Sequence, residues 1–213
     1  FRELFVMMKI VIADHNYSSW SLRPWLALKQ AGLPFEEICI RLRQSRTREE
    51  ILKYSPSGKV PCLIDGTTVV WDSLAICEYI AEQSPALWPS ERKARAEARA
   101  ISCEMHAGFG ALRFSMPMEI VSSRPYDART AEVEADITRI VSIWENCRLR
   151  YAQDGPFLFG SFSIADAMFS PVVWRFLTYA VELPPASRAW IETMRLLPAM
   201  QEWRDAALAE MAS

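Results

Sequence analysis

Two adjacent serines lie where chemistry on a thiol could take place. Ser18 and Ser19 follow the β-branched run 9–13, which predicts a buried strand, and a helical pattern starts near Leu22. A helix N-terminus has unpaired N–H groups and a positive potential, and a hydroxyl there can donate to a thiolate and lower the pKa of a bound thiol. An N-cap serine is the simpler alternative, and the segment taken alone favours it.

Two further segments could bind a small peptide. Val60 precedes Pro61 at the predicted start of a strand. A cis bond there would direct the Val60 N–H and C=O towards a neighbouring loop, although a trans bond is the more common form. Asp72 and Ser73 lie at the predicted start of a later helix, where N–H and hydroxyl groups can bind a carboxylate and the acid can bind an ammonium group. A helix cap explains this last pair equally well.

A fourth motif has a structural interpretation. Ser163 and Asp166 have the spacing of a capping box and precede a strongly apolar helical segment. In a capping box, the serine and the acid each accept a hydrogen bond from the other's backbone N–H. We therefore expect this pair to stabilise a helix and to take no part in chemistry.

The first part of the chain must position the first three motifs. Up to residue 83, the patterns predict strand, helix, strand, helix, strand, strand and helix, and Asp65-Gly66 is typical of the turn of a β-hairpin. A βαβ unit followed by a hairpin and a helix predicts a mixed sheet with helices on both faces. We therefore expect an α/β, thioredoxin-like domain at residues 8–83.

The rest of the chain has a different character. Residues 84–90 contain two prolines without periodicity, which is typical of a linker. From residue 91 to residue 213, only helical patterns occur, and residues 91–113 are predicted to form one long helix. The second domain is therefore predicted to be an all-helical bundle.

Composition and charge exclude several classes of protein. The chain has 213 residues and a net charge of -2, which gives no reason to expect a nucleic-acid or membrane-surface partner. No apolar run is long enough to span a membrane. The five cysteines include no C-x-x-C pair and indicate a reducing compartment, and the spacing of the two histidines predicts no metal site. Residues 1–6 are interpreted as an upstream extension that contributes little to the fold.

Taken in order, the four motifs resemble those of the cytosolic glutathione transferases, over residues 8–211. The segment 18–23, S-S-W-S-L-R, is similar to the zeta-class segment S-S-C-S-W-R, with Trp20 in place of the cysteine and Leu22 in place of the tryptophan. The resemblance implies a glutathione-binding thioredoxin-like domain and an all-α domain. It also implies a cytoplasmic homodimer that uses glutathione as cosubstrate and needs no metal.

The resemblance assigns roles at the thiol end of the site. Either Ser18 or Ser19 would contact the glutathione sulfur, since the zeta-like register favours Ser18 and the theta and delta registers favour Ser19. Trp20, Arg113 and Trp174 are candidates for the pocket that receives the electrophile.

The resemblance also assigns roles along the glutathione peptide. Val60 would bind the cysteinyl backbone beside a cis Pro61, and Asp72 with Ser73 would hold the γ-glutamyl head. Lys59 lies where zeta-class proteins usually have a glutamine at the glutathione site.

Three functions are compatible with these expectations. The first is a transferase that activates the glutathione thiol for attack on a small electrophile, with a role in detoxification. The second is a glutathione-dependent isomerase of a small unsaturated diacid, with Arg23 or Arg113 on the carboxylates. The third is a binding or assembly module without catalysis, because fold alone does not fix function.

Overall fold

The computed structural model describes residues 7–126 and 129–212, so the predicted extension at residues 1–6 lies outside the described residues. None of the described helices has the length and apolar character needed to cross a bilayer. The strands and α-helices are β1 (Met8–Ala13), α1 (Ser19–Ala31), β2 (Phe35–Ile40), α2 (Thr47–Leu52), β3 (Cys62–Asp65), β4 (Thr68–Val70), α3 (Ser73–Gln83), α4 (Arg92–Ala107), α5 (Gly110–Ser115), α6 (Ala131–Tyr151), α7 (Ile164–Thr178), α8 (Pro185–Arg195) and α9 (Pro198–Ala212).

The four strands form one mixed sheet in the order β2-β1-β3-β4. Strand β1 runs parallel to β2, and α1 forms the crossover connection that parallel strands need. Strand β1 runs antiparallel to β3. The hairpin between β3 and β4 turns at Gly66, whose φ of 58° is easily adopted only by glycine. The sheet confirms the predicted thioredoxin-like arrangement of the first part of the chain.

The alternation of side chains along β1 places helices on both faces of this sheet. Ile10 and Ile12 are fully buried in the main core with residues of α1 and α3, whereas Val11 points to the other face and packs with Ile51 of α2. Each such side chain contributes about 1.5–3 kcal/mol through burial. The main core continues without a break into the helices of the second half, so both halves share one hydrophobic interior.

Helix α7 lies at the centre of the helical half, and its N-terminus has the predicted capping box. The Asp166 carboxylate accepts from the backbone N–H and the hydroxyl of Ser163, both at 2.9 Å. It also accepts from the Leu158 N–H at 3.0 Å and from the Trp190 indole N–H at 2.8 Å. Burial raises the pKa of Asp166, and these hydrogen bonds oppose the shift. The pair therefore joins three segments as well as capping a helix.

The prediction of one long helix over residues 91–113 is wrong. Helix α4 ends at Ala107, Phe109 has a left-handed φ of 61°, and α5 begins at Gly110. At Gly108 the chain passes so close to the preceding turn that a Cβ atom would lie 2.8 Å from the Glu104 carbonyl oxygen. The two glycines that flank Phe109 are the signal for this break.

The segment at residues 84–90 packs against the rest of the protein. Pro85–Leu87 form a single 3-10 turn, and Leu87 and Trp88 are both buried. The segment lies between α3 and α4, where the α/β part gives way to the helical part. The division into domains at 8–83 and 91–213 stays a prediction.

Candidate functional site

A cavity of about 610 Å³ opens where the N-terminus of α3 meets the segment before β3. Five of the residues that line it are those expected to hold glutathione, and Trp20 joins them from the start of α1. The lining residues are Trp20, Ser57, Lys59, Val60, Pro61, Trp71, Asp72 and Ser73. Residues distant in sequence are thus brought to one cavity, and Ser57 and Trp71 are additions that the sequence analysis missed.

The segment before β3 forms one wall of the cavity. The Val60–Pro61 peptide bond is cis, as expected from the resemblance. Pro61 is buried and Val60 is half-buried, and the two residues lie directly before β3. Lys59 is exposed at the cavity rim, where its ammonium group is available to an anion.

The N-terminus of α3 forms the opposite wall. Asp72 is the N-cap residue, and its carboxylate accepts from the Leu74 N–H at 3.2 Å. Ser73 is fully buried, and its hydroxyl has no hydrogen-bond partner among the described residues. Such a group is uncommon in a folded protein and fits a site where a ligand supplies the partner. The pair therefore caps the helix and also presents polar groups to the cavity.

His106 is a functional candidate that the sequence analysis missed. Its Nε2 lies 2.9 Å from Asp72 Oδ2, and its ring meets the Trp20 ring edge-on at 5.3 Å between centres. It lies in the last turn of α4, so the helical half contacts the α3 N-terminus through this side chain. Because the sequence contains only two histidines, His106 could have been noted there. Its contacts with Asp72 and Trp20 could not be predicted from the sequence.

The two serines at the start of α1 make different hydrogen bonds. The Ser18 hydroxyl makes no capping bond, so the cap interpretation is wrong for this residue, although it occupies the N-cap position. Instead it donates to Ser21 Oγ at 2.7 Å. Ser19 Oγ accepts from Arg175 Nη2 at 3.2 Å. Both serines are buried, and Trp20 is the residue of this segment that lines the cavity.

This difference decides which hydroxyl can donate to a further acceptor. Ser18 uses its single proton on Ser21. Ser19 uses an oxygen lone pair on Arg175 and keeps its own proton. A hydroxyl that accepts from a guanidinium is also polarised, which strengthens its own donation. Of the two hydroxyls, Ser19 is therefore the one whose proton is not donated to another group among the described residues.

Two further arginines lie against Trp20. The Cζ atoms of Arg23 and Arg113 are 4.4 Å and 4.7 Å from the centre of its ring. Arg23 is almost fully buried, and its Nε and Nη1 have no partner among the described residues. Burial and the nearby charges of Arg113 and Arg175 lower the pKa of Arg23 well below its usual value. An anion beside Trp20 would relieve this unfavourable concentration of positive charge.

Arg175 connects α7 to the start of α1. It is buried, and it donates to the Met116 carbonyl as well as to Ser19. Burial and the charge of Arg113 lower its pKa to about 10. The sequence analysis gave it no role, because an arginine in an apolar helix does not reveal which hydroxyl it meets.

The remaining pocket candidates lie further from the cavity. Arg113 donates to the Gly108 carbonyl at 2.9 Å and to the Met105 carbonyl, so it caps the end of α4 while it lies over Trp20. Trp174 is buried in the main core and is not among the residues that line the cavity. Of the three electrophile-pocket candidates, Trp20 is therefore the one that the structure brings to the cavity.

Comparison with known proteins matches both halves of the chain to one family. Sequence models of the N-terminal and C-terminal domains of glutathione S-transferase match residues 17–83 and 127–206. A zeta-class glutathione S-transferase of Euphorbia esula is 37% identical over 78 residues, which are 36% of this chain and 35% of that protein. A probable maleylacetoacetate isomerase of Caenorhabditis elegans is 31% identical over 108 residues, which are 50% of each chain.

Solved structures extend the likeness over the whole fold. A theta-class glutathione S-transferase from Xanthomonas axonopodis pv. citri, with glutathione bound, is 26% identical with a TM-score of 0.65. That match covers 92% of this chain and 95% of the other. The curated relatives above are matched over shorter stretches, about a third to a half of their own length.

Proposed function

The chain belongs to the glutathione S-transferase family, and from this premise we propose that it is an enzyme that binds glutathione and directs its thiolate at a small electrophile. The observation that carries the proposal is the cavity beside Trp20. It is lined by the Val60–Pro61 segment and the Asp72–Ser73 helix start, to which the family resemblance assigns the binding of the glutathione peptide. Positioning and thiolate stabilisation together would supply the catalysis.

The peptide part of glutathione would lie across the cavity. The Val60 backbone would pair with the cysteinyl residue, and the buried Ser73 hydroxyl with the α3 N-terminus would bind the γ-glutamyl carboxylate. Asp72 would hold the γ-glutamyl ammonium group, and His106 fixes the direction of its carboxylate. Lys59 at the rim would attract the other end of this anionic ligand.

The sulfur would be activated by Ser19. Its oxygen accepts from Arg175, so its proton is available to the thiolate, and the helix N-terminus adds a favourable field. A charge-assisted hydrogen bond of this kind contributes roughly 1.5–3 kcal/mol, which corresponds to about one to two pKa units of the bound thiol. Ser18 would support this arrangement through Ser21 without touching the sulfur.

The isomerase of an unsaturated diacid is the second candidate, and the arginines beside Trp20 favour it. A buried guanidinium without a partner for its Nε and Nη1 is suited to a carboxylate. The Caenorhabditis elegans relative carries the name of such an isomerase. An anionic electrophile would therefore enter on the side of Arg23 and Arg113.

The assembly and location of the protein are part of the proposal. We expect a homodimer, in which the α/β half of one subunit faces the helical half of the other. Phe114 on α5 is 91% exposed, and a second subunit is one partner that would bury such a large apolar side chain. The five cysteines are free thiols, which accords with a reducing, cytoplasmic location.

Calorimetry with reduced glutathione tests the binding step, and turnover assays test the chemistry. We expect a dissociation constant between about 1 μM and 1 mM. Conjugation of a halonitrobenzene supports the transferase, whereas isomerisation of a maleyl diacid supports the second candidate. Binding without either turnover would favour a non-catalytic module, and no heat at millimolar glutathione would contradict the proposal.

A further inference from the structure

Three side chains with metal-binding atoms meet away from the glutathione cavity. His15 lies in the turn after β1, Cys39 lies on β2 and Glu210 lies in α9. One ligand atom from each, an imidazole nitrogen, a thiol sulfur and a carboxylate oxygen, lie within 4.8 Å of one another. Parallel pairing of Ile12 with Cys39 brings β2 beside the end of β1, and α9 then closes over both.

The histidine of this cluster is oriented by a second carboxylate. Glu37 Oε1 lies 3.1 Å from His15 Nε2, and Glu37 Oε2 accepts from the Trp25 indole N–H at 2.8 Å. His15 Nδ1 is thereby directed at Glu210 Oε1, 2.6 Å away. A carboxylate that receives one imidazole N–H while the other nitrogen faces a cluster of ligands is the usual support of a metal-bound histidine.

We propose that His15 Nδ1, Cys39 Sγ and the Glu210 carboxylate bind a divalent transition-metal ion, with zinc as the best match. Nitrogen, sulfur and oxygen donors together suit zinc, which holds them at about 2.0–2.3 Å. Tetrahedral ligands at those distances are roughly 3.4 Å apart, so Glu210 has to retreat by less than an ångström from His15. A water molecule would complete the four ligands.

The His15 imidazole lies between two carboxylates. Glu37 Oε1 is 3.1 Å from Nε2, Glu210 Oε1 is 2.6 Å from Nδ1, and the Cys39 thiol lies 3.9 Å from Glu210 Oε1. On metal binding, the proton between His15 Nδ1 and Glu210 and the thiol proton of Cys39 would both pass to solvent. The bound ion would then take the place of the proton between His15 Nδ1 and Glu210.

The site would fasten α9 to the loop that precedes the serines. The Trp203 indole N–H already donates to the His15 carbonyl at 2.8 Å, and Asn16 Nδ2 lies 3.7 Å from Met211 Sδ. A metal ion bound by residues of β2, this loop and α9 would stabilise the same contact between the loop and α9. Sequence analysis predicted no metal site because Glu210 is 195 residues from His15 and 171 from Cys39.

Metal titration of the untagged, full-length protein tests this proposal. Zinc is titrated against a chromophoric chelator, and cobalt(II) is used as a spectroscopic probe. We expect one ion per chain and a sulfur-to-cobalt charge-transfer band. Cys39→Ser should remove the band and weaken zinc binding about tenfold or more, whereas Cys103→Ser, which removes an exposed thiol on α4, should change neither.

A second variant keeps the test independent of the thiol. Glu37→Gln leaves all three ligands in place and should weaken zinc about 10–100-fold while the cobalt band remains. Circular dichroism in metal-free buffer establishes that each variant is folded. Zinc affinity equal in the wild type and Cys39→Ser, or a charge-transfer band that survives in Cys39→Ser, would overturn the proposal.

Discussion

The two ends of the proposed glutathione site are built differently. The end that would hold the γ-glutamyl head is made from short local motifs, the Val60–Pro61 segment and the Asp72–Ser73 helix start, which open directly onto the cavity. The end that would hold the sulfur is buried, and its hydroxyl at Ser19 is oriented by Arg175 from a helix 156 residues further along the chain. In the proposed site, ligand binding would depend mainly on groups of the α/β half, with His106 of α4 orienting Asp72, whereas thiol activation would depend on the contact of Arg175 with Ser19.

This difference separates affinity from reactivity. A change at Asp72 or Ser73 should alter how tightly glutathione binds, because it removes contacts to the peptide. A change at Ser19 or Arg175 should alter the acidity of the bound thiol, because it removes the donor to the sulfur. The following variants test whether the two ends are separable, and the one with the largest expected effect comes first.

Asp166→Ala tests the scaffold that both ends share. It leaves the buried N–H groups of Leu158, Ser163 and Trp190 without their acceptor, so we expect a loss of about 2–5 kcal/mol in the free energy of unfolding. Thermal denaturation should show a melting temperature lower by roughly 5–15 °C. Turnover per folded molecule should stay near normal, and a stable but inactive variant would show that Asp166 belongs to the site.

Asp72→Asn tests the peptide end. It keeps the size of the side chain and an oxygen for the Leu74 N–H, but it removes the charge that would face the ammonium group. Calorimetry should show glutathione binding about 10–100-fold weaker, while the pKa of the bound thiol stays unchanged. Unchanged affinity would mean that this carboxylate does not hold the γ-glutamyl head.

Arg175→Lys tests the connection between the halves. Lysine keeps the positive charge but lacks the two guanidinium nitrogens that donate to the Met116 carbonyl and to Ser19 at the same time. We expect the pKa of the bound thiol to rise by about one unit and the affinity for glutathione to change little. If Arg175→Lys instead weakened glutathione binding and left the thiol pKa unchanged, Arg175 would serve binding and not thiol activation.

The same division explains how much could be predicted from sequence. The Asp72 cap, the capping box at Ser163 and the succession of strands and helices up to residue 83 depend on neighbours in the chain, and spacing alone revealed them. The cis bond before Pro61 came from the resemblance, because base rates favour trans. The prediction that failed was a single helix over residues 91–113. The two glycines on either side of Phe109 end the helix there despite the helical pattern of the segment.

The groups at the sulfur end could not be foreseen, because they depend on tertiary contacts. Periodicity shows that α7 is buried, but it does not show that Arg175 reaches Ser19. At the peptide end, the contact of His106 of α4 with Asp72 is also tertiary and was missed for the same reason. The choice of Ser18 or Ser19 as the donor to the sulfur likewise depends on which hydroxyl donates its hydrogen bond to Ser21. In the proposed function, reactivity would therefore depend on how the two halves pack together.

The most direct test of this account compares Ser19→Ala with Ser18→Ala. The ultraviolet absorbance of the thiolate in the glutathione complex is followed against pH for each variant and for the wild type. Ser19→Ala should raise the pKa of the bound thiol by about one to two units, towards the free-thiol value near 8.5, with little loss of affinity. Ser18→Ala should give a clearly smaller shift. A wild-type titration in Ser19→Ala, or a larger shift in Ser18→Ala, would contradict the assignment of Ser19 as the group that activates the sulfur.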